Sequence, residues 1–212
     1  MNLWYLASLI MLVLIISHNI KKQKRTKVQA EENFWAKEAR ANSVRRKPLD
    51  GLKYIHVPME DFPTASLTEN STVAECIEIL QTLSTQPIVN LTGYSNTDLK
   101  LEYGAANLTK LMEYDQNYTL LARTLQKWAD ALLEAGHTEE ATVLMEYAIS
   151  TETDVSRTYY CLADYWLSQG ETAQVERLIR TAESLRSPSK GIIVKNLQEK
   201  LSFCQSYGLP HF

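Results

Sequence analysis

ARTLQKWADALLEAGHTEEATVLMEYAISTETDV, residues 122–155, lies over SRTYYCLADYWLSQGETAQVERLIRTAESLRSPS, residues 156–189, at an offset of 34 with no gap. Ten positions are identical: Arg123/Arg157, Thr124/Thr158, Ala129/Ala163, Asp130/Asp164, Leu133/Leu167, Gly136/Gly170, Thr138/Thr172, Leu144/Leu178, Ala148/Ala182 and Ser150/Ser184. Others match in kind, as Leu125 does with Tyr159, Trp128 with Leu162, Leu132 with Trp166, Ala141 with Val175 and Met145 with Ile179. A fixed period of this size marks a helical repeat in which no unit buries its apolar face alone, so that neighbours share one core. Gly136 and Gly170 are placed to end the first helix of each copy in the left-handed conformation, and Thr138 and Thr172 to cap the second. Ala129, Ala141, Ala148, Ala163 and Ala182 are the small residues that let paired helices approach. Trp128, Leu132, Tyr159, Leu162 and Trp166 fill the space between successive pairs.

These residues resemble the tetratricopeptide repeat family. The likeness rests on the spacing from Leu125/Tyr159 through Ala129/Ala163 and Gly136/Gly170 to Ala148/Ala182, and it covers 68 of 212 residues. The resemblance implies an all-α helical-hairpin array, or α-solenoid, whose first helices line a concave groove that receives a protein or peptide. The positions that map onto such a groove are Arg123, Gln126, Asp130, Leu133, Arg157, Tyr160, Asp164 and Leu167. Arg above Asp in each copy suits an extended peptide or the end of a helix. The plainer reading is that these charges are solvated and keep the helices soluble. The chain departs from the family at the end of the repeat, where Asp154 replaces the frequent Pro and Pro188 is shifted. Gln126, Asp130 and Tyr160 stand where a carboxylate clamp needs Lys and Asn, which disfavours chaperone tails as ligands.

Outward from the repeats, Ile193, Val194, Leu197 and Leu201 predict a capping helix over about 190–206 within a final segment 190–212. Upstream, Val73, Cys76, Ile77, Leu80 and Leu83 share one helical face. Leu99, Leu101, Tyr103, Leu108, Leu111 and Met112 predict a second helix over roughly 98–115. Glu102 stands where a third repeat would need Gly, so 71–118 reads as a degenerate helical pair ahead of two repeats at 119–189. Thr72 with Glu75 reads as a capping box, and Asn117 as the start of the next helix. Residues 48–70 form a linker with a weakly alternating piece at Leu52–Val57, fitting either a free tether or a strap lying on the body.

The other end of the chain differs in solvent. Residues 1–20 carry no Lys, Arg, Asp or Glu, and LWYLASLIMLVLII runs from Leu3 to Ile16. Residues 3–20 as a helix reach roughly 27 Å, near the ~30 Å hydrocarbon thickness, which predicts a single transmembrane anchor. A cleaved signal peptide would place basic residues before the apolar run. Here KKQKRTK follows it, so the segment reads as uncleaved with its C-terminal side in the cytoplasm. Residues 21–47 form a basic juxtamembrane helix with ten Lys/Arg against three Glu, a net of +7. Residues 48–212 hold the remaining 12 basic and 22 acidic residues, a net of −10. An acidic body excludes affinity for nucleic acid built on basic surface, while Lys21–Lys27 could meet anionic lipid headgroups.

Cys76, Cys161 and Cys204 are too few and too far apart for a disulfide framework or a zinc site. The four His residues are scattered, no phosphate-cradling or dinucleotide Gly motif is present, and Glu139-Glu140 suits a helix N-terminus. The chain is therefore expected to have no catalytic, cofactor or metal residues. It reads as a membrane-anchored interaction module, an adaptor or scaffold without turnover. The rival reading is an extracytoplasmic chaperone-like or secretion-accessory subunit of opposite topology, to which the sequons at Asn70, Asn90, Asn107 and Asn117 point. A third is a structural subunit whose groove is filled by its own residues 48–70.

Overall fold

The computed structural model describes residues 3–207. Among them every regular element is helical: α1 Leu3–Asn42, α2 Ser71–Ser84, α3 Asn96–Tyr103, α4 Leu108–Glu134, α5 Thr138–Ser150, α6 Ser156–Ser168, α7 Thr172–Ser184 and α8 Lys190–Tyr207. The remainder of the expected anchor and tail, residues 1–2 and 208–212, lies outside the described residues. The chain divides into two compact units. One joins the N-terminal stretch through Pro48 to Ser95–Leu108, and the other holds Leu49–Tyr94 and everything from Thr109 on.

Among the described residues no helix is long and apolar enough to cross a membrane. The run expected to do so, residues 3–20, falls in the first half of α1, and most of its apolar side chains lie outside the described residues. Trp4, Met11, Leu12, Ile16 and Ile20, which are described, are all exposed. The described side chains from Lys21 to Lys37 are exposed as well, so this stretch of helix has no packed face until Glu38. There α3 takes hold of it. Lys37 Nζ donates to Asp98 Oδ1 at 2.8 Å, Thr97 Oγ1 donates to Glu38 Oε2 at 2.7 Å, and Lys100 forms a further ion pair with Glu38. Ala41 is fully buried. The helix was expected to run on to Pro48 but stops at Asn42. Ser43 Oγ donates to the Arg40 carbonyl, and the extended Lys47 donates its N–H to the Tyr103 carbonyl at 3.0 Å.

The single helix expected over 98–115 is two. α3 opens on a capping box in which Ser95 Oγ accepts from the Asp98 N–H and the Asp98 carboxylate accepts from the Ser95 N–H. It closes at Gly104, φ 89°, where a Cβ would overlap the Arg45 carbonyl. Only glycine permits that approach. After one 3-10 turn α4 runs unbroken past Asn117, which starts nothing. Thus α3 shares a unit with α1, and the helical pair expected at 71–118 does not form. At α2 the cap is Asn70, whose Oδ1 accepts from the Thr72 and Val73 N–H groups, and Glu75 pairs instead with Lys127.

In the second unit each copy of the repeat is two helices joined by a glycine turn, the C-terminal half of α4 followed by α5 and α6 followed by α7. Their turns are the same to the atom. Gly136 donates to the Leu133 carbonyl and His137 to Leu132; Gly170 donates to Leu167 and Glu171 to Trp166. This is the Schellman pattern, with φ of 83° and 77° at the two glycines. It leads straight into the next helix, so Thr138 and Thr172 are first helical residues and not caps. His137 and Glu171 hold the cap positions without a side-chain bond to the helix N–H groups, the His137 ring lying instead against the Glu140 carboxylate. α6 packs against α5, α7 and α8, and α7 against α8. Trp128, Leu132, Leu144, Tyr159, Leu162, Val175, Ile193 and Leu197 fall in one continuous core. Trp166 is only partly buried, against Tyr165.

Where the repeat lacks its Pro, other groups hold the junction between copies. Glu152 takes φ 62°, costly for a residue with a Cβ. Asn90 Nδ2 donates to the carbonyls of Thr151 and Glu152, Tyr118 to Thr151, Tyr159 to Thr153, and Ser187 to Asp154. The linker is a strap. Tyr54 bridges Val89 in antiparallel pairing, Ile55 N–H donates to the Ile88 carbonyl at 2.9 Å, and Tyr147 donates to the His56 carbonyl at 2.7 Å. Val57 and Phe62 enter the core, with the Phe62 ring edge-to-face against Trp128 and Tyr147.

Candidate functional site

α4 is amphipathic in the strict sense. Leu121, Ala122, Leu125, Trp128, Ala129 and Leu132 are buried, while Arg123, Lys127 and Glu134 on the opposite side reach solvent. That outer side, together with the N-terminus of α2 and Val155 ahead of α6, encloses an open groove of ≈ 490 Å³ lined by Asn70, Thr72, Arg123, Gln126, Lys127, Asp130, Ala131, Glu134 and Val155.

The eight residues expected in a groove separate into three groups. Arg123, Gln126 and Asp130 line it, and Arg157 reaches across, its Nε donating to Asp130 Oδ1 at 2.7 Å. Asp130 also accepts from Gln126, and Gln126 accepts from Thr158, so one carboxylate ties α4 to α6. The Arg and Asp of each copy were read as gripping a ligand or standing in solvent; instead the Arg157 guanidinium of the second copy pairs with Asp130 of the first. Asp130 holds that guanidinium's pKa above its ordinary value. Tyr160 and Asp164 form the second group. α8 covers them, with Asn196 Nδ2 donating to the Tyr160 hydroxyl and Lys200 Nζ to Asp164, so the groove positions of the second copy are occupied by the chain itself. In the third group Leu167 belongs to the core and the partly buried Leu133 packs against it, and neither lines the groove.

Lys127, Glu134, Asn70, Thr72 and Val155 were not expected to line the groove. For Lys127 and Glu134 the signal was present, since they follow Arg123 and Asp130 at a spacing of four on one helix face. Asn70, Thr72 and Val155 depend on how α2 and the 151–155 junction fold back, and no local pattern carries that. Lys127 is engaged by Glu75 at 2.6 Å, a hydrogen bond that raises its pKa. Arg123 has no hydrogen-bond or ion-pair partner among the described residues.

Residues 48–70 do not occupy this groove. The Phe62 ring lies against Trp128 on the buried side of α4 and against Tyr147 of α5, Val57 joins the same core, and only Asn70 borders the opening. A smaller cavity of ≈ 220 Å³ lies under the strap among Lys53, Tyr54, Asn90, Tyr147 and Glu152.

The four sequon asparagines are taken up by the fold. Asn70 Oδ1 caps α2. In the other three the amide nitrogen, the atom a glycan would occupy, donates to a carbonyl: Asn90 to Thr151 and Glu152, Asn107 to Lys47 and Tyr103, Asn117 to Pro87. Asn107 is 0% exposed and also accepts from Arg46. Burial raises the pKa values of Cys76 and Cys161, so neither thiol is poised as a nucleophile. Among the described residues no group of His, Cys, Asp or Glu is arranged to hold a metal. Comparison of the chain with family models, curated proteins and solved structures finds no match.

Proposed function

We propose that this chain is an adaptor without turnover, a short tetratricopeptide-like array that holds a partner protein at a membrane. The observation that carries the proposal is the groove over the first copy of the repeat. Apart from Ala131 and Val155 its lining residues are polar or charged, and Arg123, Lys127 and Glu134 among them are exposed and take no part in the core. A surface that keeps Arg123 unpaired beside Lys127, Asp130 and Glu134 suits recognition of a charged segment. The apolar run at residues 3–20 supplies the anchor, and the exposed Lys21, Lys24, Arg25 and Lys27 after it suit anionic headgroups on the cytoplasmic leaflet. The commitment of the sequon side chains to capping and loop closure favours this topology over an extracytoplasmic, chaperone-like role.

The test is site-specific photocrosslinking from the full chain in its own membranes. A benzophenone amino acid replacing Gln126, inside the groove, is expected to label a discrete partner. The same group replacing Val143, exposed on α5, is expected to label none. Equal labelling from both positions, or none from Gln126, refutes the groove as the binding surface.

A further inference from the structure

The repeat uses only the last half of α4. The helix has 27 residues, whereas α5, α6 and α7 have 13 each, and its N-terminal half carries the same outer face beyond the groove. Met112, Gln116, Leu120, Arg123, Lys127 and Glu134 lie on that face, with Asp130 between the last two. Successive steps of four, four, three, four, three and four residues form a straight stripe along one helix. Met112 and Leu120 are 42% and 43% exposed, large apolar side chains in solvent on the side of α4 opposite its buried residues. Met112 to Glu134 is 22 residues, about 33 Å at 1.5 Å per residue.

From this stripe the geometry points to the kind of partner: an amphipathic helix of another protein, laid lengthwise along α4. Three features select it. Spacing of three and four residues along a single helix is the pattern that a second helix interdigitates with. An extended peptide would instead present alternate side chains at a period of two. The stripe is also polar in a fixed order, apolar at Met112 and Leu120, cationic at Arg123 and Lys127, anionic at Asp130 and Glu134. The matching helix therefore has apolar residues at one end, Asp or Glu in the middle and Lys or Arg at the other. Finally, of the two cations Lys127 is paired with Glu75 while Arg123 has no hydrogen-bond or ion-pair partner among the described residues, so an acidic side chain from outside completes it. The inference rests on the reading of the chain as an interaction module but adds the partner's conformation and charge order.

Benzophenone side chains placed singly at Met112 and at Glu134, in the full chain in its membranes, test it when the labelled partner residues are mapped. A helix lying along α4 is labelled by both positions, at sites about 22 residues apart in its sequence. Leu120→Asp, an exposed substitution checked for unchanged helicity, cuts both crosslinks by about tenfold or more. Arg123→Glu does the same and is rescued by reversing the mapped acidic residue to Lys. Sites only about ten residues apart mean an extended segment and overturn the inference, since strand rises about 3.3 Å per residue. So does labelling of a second copy of this chain. If Gln126 labels a partner while Met112 labels nothing, the module reading stands and the helix falls. If none of the three positions labels anything, both fall.

Discussion

Phe62→Ala separates a strap that contributes to the fold from a tether that merely connects. Phe62 is 5% exposed, and its ring centroid lies 6.0 Å from that of Trp128 and 5.0 Å from that of Tyr147, both edge-to-face. Removing a buried Phe side chain costs roughly 3–5 kcal/mol, including the cavity left behind. The two ring contacts, at about 0.5–1.5 kcal/mol each, place this site in the middle of that range, near 4 kcal/mol. For a protein of this size each kcal/mol moves the midpoint by about 2–4 °C, so Tm should fall by roughly 8–16 °C. The assay is thermal unfolding of the full chain in detergent micelles, followed by tryptophan fluorescence. Thr64→Ala, on the exposed stretch just after Phe62, is the control. If Phe62→Ala costs no more than the ~0.5 kcal/mol usual for a surface substitution, residues 48–70 do not pack on the body and the reasoning fails.

The ion pairs that hold α3 to α1 give a pH prediction. The Lys37 ammonium and the Ser95 groups hold Asp98 down to about 2, below its ordinary 3.8, and Lys100 and Thr97 lower Glu38. A carboxylate depressed in the folded state stabilises it above the ordinary value and ceases to as pH falls toward the depressed one. Pepsin cleavage within residues 95–108 should therefore rise between about pH 4.5 and 2, and Asp98→Asn should remove most of that rise. Two glycines should behave differently. Gly136→Ala meets no neighbour and costs about 1–2 kcal/mol of left-handed strain, whereas Gly104→Ala also drives a Cβ into the Arg45 carbonyl. Hydrogen exchange should show α3 and residues 43–47 opening in the second variant alone. Asp130→Ala should leave Tm within a few degrees, because the Arg157 side chain it holds is 60% exposed and such pairs contribute about 1 kcal/mol or less. It should nevertheless weaken the Gln126 crosslink.

Legibility followed the range of the physics. The 34-residue period and the two glycine turns are local and repeated, and the helices, the turns and the buried alanines fall where the sequence suggests. The failures are places where one side chain could serve two partners. Thr72 and Glu75 have the spacing of a capping box, but Asn70 takes the cap and Glu75 goes to Lys127. Ser95-Asn-Thr-Asp98 is a genuine capping box that apolar spacing alone conceals, since Leu99 to Met112 reads through Gly104 as one helix. At the groove, Arg123, Gln126 and Asp130 were legible from the repeat. The coverage of Tyr160 and Asp164 by α8 was not, because Asn196 and Lys200 lie 36 residues downstream of their partners and outside the repeat.

The most direct test of the central claim, that the chain holds a partner at a membrane through this groove, is fractionation of the Gln126 crosslink. In the full chain the crosslinked partner should sediment with membranes. When residues 1–27 are removed the crosslink should still form and should appear in the soluble fraction. A partner that stays with membranes in both cases does not depend on this chain for its location, and a crosslink lost with residues 1–27 means that the groove alone does not bind it; either result contradicts the account.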